Sequence, residues 1–122
     1  MADLNELLSS FTRVKGVTAA LVVGQDGLPL QSVTAQGVDE SEVDVLGAIA
    51  ASGLVAAQEI GQQTHRGALR QGIYEYDNGV VVIEPLGNAI LVVVTDAAAN
   101  LGLLRLQARK THPDLEASLA GL

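Results

Sequence analysis

The sequence predicts an α/β (α+β) domain, a five-stranded antiparallel sheet with three helices in the order α-β-β-α-β-β-β-α. Three observations carry this. Apolar residues recur at helical spacing in three segments, whereas the segments between them are short, apolar and rich in β-branched residues. The pairs Asp26-Gly27, Asn78-Gly79 and Gly87-Asn88 fall between consecutive apolar runs, where tight hairpin turns need such residues. With 122 residues, 48% of them hydrophobic, the chain can fill one core, so a single domain over 1–122 is expected.

Each element has its own local reason. Leu4, Leu7, Leu8 and Phe11 share one helical face within Asp3 to Val14, with Asp3 as N-cap and Glu6 completing a weak capping box. Gly16 ends that helix. VTAALVVG and LPLQSV then form a hairpin, strands near 17–24 and 28–33, across Asp26-Gly27. Acids at Asp39, Glu40 and Glu42 suit a first helical turn, where unpaired N–H groups favour negative charge; the helix should run from about 40 to 62, capped by Asp39 and stopped at Gly61. LRQGIYEY, VVVIEP and AILVVVT follow as strands, joined by a type I′ turn at Asn78-Gly79 and a similar one at Gly87-Asn88. VVVI and ILVVV are apolar on both faces, which places them centrally. Asp96 is read as the cap of a last helix, with Leu101, Leu104 and Ala108 inward and Arg105, Arg109 and Lys110 outward. His112-Pro113 should end it, leaving 113–122 as a short tail.

The middle helix raises the functional question. Val45 to Ala57, VLGAIAASGLVAA, holds no charge in a chain with 14 acidic and 7 basic side chains. At 100° per residue, Leu46, Ile49, Ala50, Gly53, Ala57 and Ile60, flanked by Val43 and Leu54, form the face expected against the sheet. Behind it lie Asp44, Val45, Ala48, Ala51, Ser52, Val55 and Glu59, small and branched apolar groups fringed by two carboxylates. A lone surface helix would be charged there. Either this face meets a twin helix or a partner protein, or the first or third helix of the same chain covers it. Gly47 and Gly53 each cost about 1 kcal/mol relative to alanine, which suggests close backbone approach, Gly53 most simply letting the helix sit down on the strands.

The strand Leu69 to Tyr76 alternates Leu69, Gln71, Ile73 and Glu75 against Arg70, Gly72, Tyr74 and Tyr76, the pattern of an outer strand. An edge exposes unpaired N–H and C=O groups, and pairing with another chain is one remedy. Arg70, Gly72, Ile73, Tyr74 and Tyr76 therefore join Val45, Ala48, Ala51, Ser52, Val55 and Glu59 as the candidate dimer or partner interface.

Several functions lack the residues they need. A net charge of −7 argues against phosphate-backbone binding and against anionic membrane surfaces. There is no cysteine, hence no disulfide or thiolate site. MADLNELLSS places acids where a secretory signal needs bases, and Val45 to Ala57 would span only about 20 Å, so neither export nor membrane insertion is expected and a cytoplasmic setting fits. No GxxxxGK[ST] loop or G-x-S-x-G elbow occurs. His65 and His112 lack metal-ligand spacing and read as surface histidines. Asp39, Glu40, Glu42 and Asp44 are explained by a helix start rather than a metal. His65, Arg66 and Arg70 form a local basic group, either solvated or able to reach a partner's phosphate. No catalytic residue, metal or cofactor is expected. Phe11, Tyr74 and Tyr76 are too few for an aromatic-lined ligand pocket.

GVTAALVVGQDGLPLQS, residues 16–32, resembles the opening hairpin of the Roadblock family of dynein-light-chain-like proteins, and the Ala-rich helix and PLGNAILVVVTDAAANLGLLRLQAR, residues 85–109, are also similar to it. The resemblance implies a profilin/longin-like Roadblock fold and a homodimer whose middle helices pair and whose third strands join two sheets into one. It also implies a non-enzymatic role: bacterial members, among them a gliding-motility regulator, act on a Ras-like small GTPase, and eukaryotic ones are scaffolds. The expected function is a dimeric regulator or scaffold of such a GTPase, for instance as a GTPase activator. The alternatives are a structural adaptor and a small-ligand sensory domain.

Overall fold

A computed structural model describes residues 3–35 and 38–121; Met1, Ala2 and Leu122, the ends of the expected 1–122 domain, lie outside the described residues. The elements are α1 (Leu4–Thr12), β1 (Val17–Gly24), β2 (Pro29–Thr34), α2 (Glu40–Gln63), β3 (Gly72–Tyr76), β4 (Gly79–Leu86), β5 (Ala89–Thr95) and α3 (Leu101–Ala120). Both the expected order and the five-stranded antiparallel sheet are present, with the strands arranged β2-β1-β5-β4-β3.

The continuous apolar runs have two cores to fill. Alternate residues of the central strands, Ala20 and Val22, Leu91 and Val93, Val82 and Leu86, face α1 and α3 and pack on Leu8, Phe11, Leu104, Ala108 and Leu115. Their neighbours Leu21, Val23, Ile90, Val92 and Ile83 face the other way, onto Val43, Ala50 and Leu54 of α2. The helices thus divide two to one: α1 and α3 pack on each other and on one face of the sheet, and α2 takes the opposite face.

Local chemistry sets most boundaries. The Asp3 carboxylate accepts from the Glu6 N–H at 2.8 Å, and Asp39 accepts from the Ser41 N–H at 2.9 Å. In the first hairpin Asp26 accepts from the Leu28 N–H at 3.0 Å while Gly27 turns through φ +84°. Gly87 has φ +66° and Asn88 does not share that sign, the pattern of a type II′ rather than a type I′ turn. The expected type I′ turn at Asn78-Gly79 is likewise replaced. Tyr76 pairs with Gly79, so Asp77-Asn78 are the turn residues, and His65 is the one non-glycine with positive φ among the described residues.

Three helix ends differ from expectation. α2 runs through Gly61 to Gln63; a Cβ at Gly61 would lie 2.8 Å from the Gly67 carbonyl oxygen, so glycine serves a close approach there, not a stop. Asp96 only closes a turn onto the Ala98 N–H, and Asn100 is the N-cap of α3, accepting from Leu103 at 3.1 Å. α3 continues through Pro113 to Ala120, so residues 113–120 are helical rather than a tail. Proline removes one N–H from the ladder, but burial of Leu115 and packing of Leu119 on the core outweigh that local cost.

α2 is also longer than the uncharged stretch that marks it. Its 24 residues rise about 36 Å, and by length and composition it is the one helix among the described residues able to cross a bilayer. The length argument against membrane insertion therefore does not hold. Val43, Gly47, Ala50 and Leu54 are instead buried on the sheet, which makes α2 part of this domain's core.

Candidate interaction interface

The helical wheel of α2 needs rotating relative to the expected one. Its buried line is Val43, Gly47, Ala50 and Leu54, spaced 4, 3 and 4 residues apart. Ile49 and Ile60, expected on the sheet, are 63% and 65% exposed, beside Val45 at 61% and Val55 at 59%. Ala48, Ser52, Ala56 and Glu59 are exposed with them, whereas Ala51 is half-buried against the core. The first and third helices lie across the sheet and belong to the other core, so the uncharged face of α2 is open along its length.

The two helix glycines differ in role. A Cβ on Gly47 would meet Val23 Cγ1 at 3.2 Å and the Gly27 carbonyl at 3.3 Å, and one on Gly27 would meet Ala48 Cα at 3.1 Å. These two glycines let the β1–β2 turn sit against α2. A Cβ on Gly53 would meet nothing within 4 Å, so its expected role against the strands is not the one it has.

β3 is an outer strand, bonded to β4 alone. Gly72 and Tyr74 pair with Ile83 and Val81, whose side chains belong to the α2-side core, so Gly72, Tyr74 and Tyr76 share that side of the sheet. Tyr74 and Tyr76 are 40% and 64% exposed. Ile73 faces the other way, onto the α1/α3 core, and is half-buried. Arg70 precedes the strand and is exposed. The fold thus brings an exposed apolar helix face and two tyrosines of an edge strand to one side of the sheet. Ile49, Ala56 and Ile60 extend that surface beyond the sequence-derived set. Their exposure depends on the roll of α2, which the breadth of its apolar arc left undetermined.

No group of three or more potential ligands for a metal occurs among the described residues. The Asp39 carboxyl is held below the usual carboxylate range by the Ser41 N–H and then the Ser41 hydroxyl, as an N-cap would be. His65 stands exposed at the C-terminal end of α2. His112, expected at the surface, is half-buried: its Nδ1 lies 3.0 Å from Glu84 Oε2 and its Nε2 2.8 Å from Glu116 Oε1. The sequence signal for the second pair is His-x-x-x-Glu, visible only if the helix is carried through Pro113.

The family profile of the Roadblock/LC7 domain matches residues 3–95, from the cap of α1 to the end of β5. An uncharacterized protein of Methanocaldococcus jannaschii is 31% identical over 114 residues, 93% of this chain and 97% of that protein. Among solved structures, the gliding protein MglB of Thermus thermophilus is similar with a TM-score of 0.87 at 21% identity, over 96% of this chain and 88% of that one. A second MglB structure, with a tetrameric arrangement, gives 0.85 at 23% identity over 93% and 85%. At these identities the likeness to solved structures is one of fold.

Proposed function

The chain belongs to the Roadblock/LC7 family, and from that premise we propose that it is a non-enzymatic homodimer, joined through α2 and the β3 edge, that regulates or scaffolds a Ras-like small GTPase. The observation that carries the reading is the open apolar face of α2. Burying the exposed parts of Val45, Ile49, Val55 and Ile60 is worth about 1–2 kcal/mol per side chain. Over two copies that is of order 10 kcal/mol, comparable with the 4–15 kcal/mol cost of association. Pairing of two β3 edges adds the surplus and satisfies strand groups otherwise left to water. Small residues at Ala48, Ser52 and Gly53 suit two helices approaching closely. The tetrameric arrangement of one MglB supports self-association as a habit of this fold.

Such a dimer would act on a GTPase by geometry. Ordering the switch loops completes a hydrolytic site without a donated side chain.

Light scattering across a dilution series tests the first half of the reading, with the mass of two chains expected. Val55→Asp and Ala48→Asp should give one-chain mass with unchanged circular dichroism, since both side chains are exposed in the single chain. A monomeric wild type would overturn the homodimer. Phosphate release by a small GTPase from the same genome tests the second half: an unchanged rate with retained binding would favour a structural adaptor instead.

A further inference from the structure

Away from the α2 face, between the segment 69–71 and α3, lies a cleft of about 600 Å³. It is lined by Arg70 from one side and by Arg105, Arg109 and His112, at i, i+4 and i+7, from the other. Arg66 joins Arg70 and Arg105 around the adjoining depression. Four of the protein's five arginines therefore ring one end of a chain with twice as many acids as bases. None of the four pairs with a carboxylate within the described residues, where the two such contacts present are made by the His112 ring.

The carboxylates near the cleft lie close to other side chains. Glu84, on its floor, accepts from Gln71 Nε2 at 3.2 Å through one oxygen and meets His112 Nδ1 through the other, and Glu116 takes the outer nitrogen of the same ring. The lining carries three guanidinium groups, Arg70, Arg105 and Arg109, against the single carboxylate of Glu84. Net charge does not describe such a site, because at physiological salt a charge is screened beyond about 8 Å and the local cluster dominates.

We propose that this cleft binds a phosphorylated small molecule, with Arg70, Arg105 and Arg109 holding the phosphate oxygens. Guanidinium forks match phosphate geometry and stay charged at every relevant pH. The volume lies in the small-molecule range of about 300–1,000 Å³. The lining comes from three short segments converging on one spot, which suits a compact polyanion better than an extended acidic peptide. Arg109 lies on the helix across the sheet from α2 and lines this cleft only, whereas Arg70 also belongs to the candidate interface and Arg105 shares the adjoining depression with Ile60, so solution mass is what tells a failure of this site from a failure of the dimer.

The test is a titration of the full chain with sodium pyrophosphate at constant ionic strength, followed by amide and arginine Nε–H NMR signals. Saturable shifts confined to Arg70, Arg105, Arg109 and the flanking amides are expected. Arg105→Gln and Arg109→Gln should each weaken binding at least tenfold while leaving the solution mass unchanged. Co-sedimentation with vesicles containing phosphatidic acid separates sources: arginine-dependent vesicle binding alongside pyrophosphate binding assigns the phosphate to a lipid headgroup, and its absence assigns it to a soluble ligand. Non-saturating shifts shared by Arg13 and Lys15, or tighter binding of a hexaglutamate peptide at the same residues, would overturn the proposal.

Discussion

Glu84 is the one carboxylate that the fold buries among the described residues, 7% exposed on β4, and both its oxygens have partners. Removing the imidazole with His112→Ala strands one oxygen, which should destabilise the fold by about 1–3 kcal/mol in urea unfolding, with His112→Gln recovering part of the loss. An unchanged midpoint would mean that water replaces the ring without penalty. The titrating feature is Asp39. Its folded pKa is lowered by the Ser41 N–H and hydroxyl, so its support for α2 is present above the unfolded value and is lost as pH falls through the folded one. The first turn of α2 should therefore loosen below the ordinary aspartate range, read from the Ser41 amide proton shift, and Asp39→Asn, whose amide oxygen still accepts, should remove that pH dependence. The two features differ in legibility. The Asp39 cap joins residues two apart and follows from the sequence, whereas His112 and Glu84 lie 28 residues apart on different elements.

α2 shows how an element can be well specified in type and poorly specified in roll. Its length, cap and lack of charge follow from local residues, but a wide apolar arc offers several faces to the sheet. Ile49 and Ile60 stand outward because Gly47, not Gly53, takes the close contact with the β1–β2 turn. Gly53 then has open space within one chain, and a helical glycine without an intrachain reason costs about 1 kcal/mol. If a second helix supplies the reason, Gly53→Leu should raise the dimer dissociation constant at least tenfold in analytical ultracentrifugation, while the far-ultraviolet circular dichroism stays unchanged. An unaltered constant would remove Gly53 from the interface. α3 carries the complementary lesson: Pro113 reads locally as a stop, and the buried Leu115 beyond it shows tertiary packing overriding that signal.

At the scale of the molecule, a five-stranded sheet carries two helices on one face and one on the other, with an edge at β3 and an apolar face on α2. A dimer built on them links folding to association, so melting should depend on concentration. A tenfold increase in protein is worth about 1.4 kcal/mol and should raise Tm by about 3–6 °C, whereas Val55→Asp should melt at one temperature throughout. A concentration-independent wild-type Tm would contradict the linkage. The sequence by itself determined the element order, the hairpins, two of the three helix caps, the central strands and the Roadblock resemblance. Each of these rests on periodicity and turn chemistry within a few consecutive residues. Only the tertiary structure decided the roll of α2, the course of α3 past Pro113, the engagement of His112 with Glu84 and the gathering of arginines around one cleft. Those depend on which faces meet across the sheet, a relation between residues far apart in the chain that no local pattern encodes.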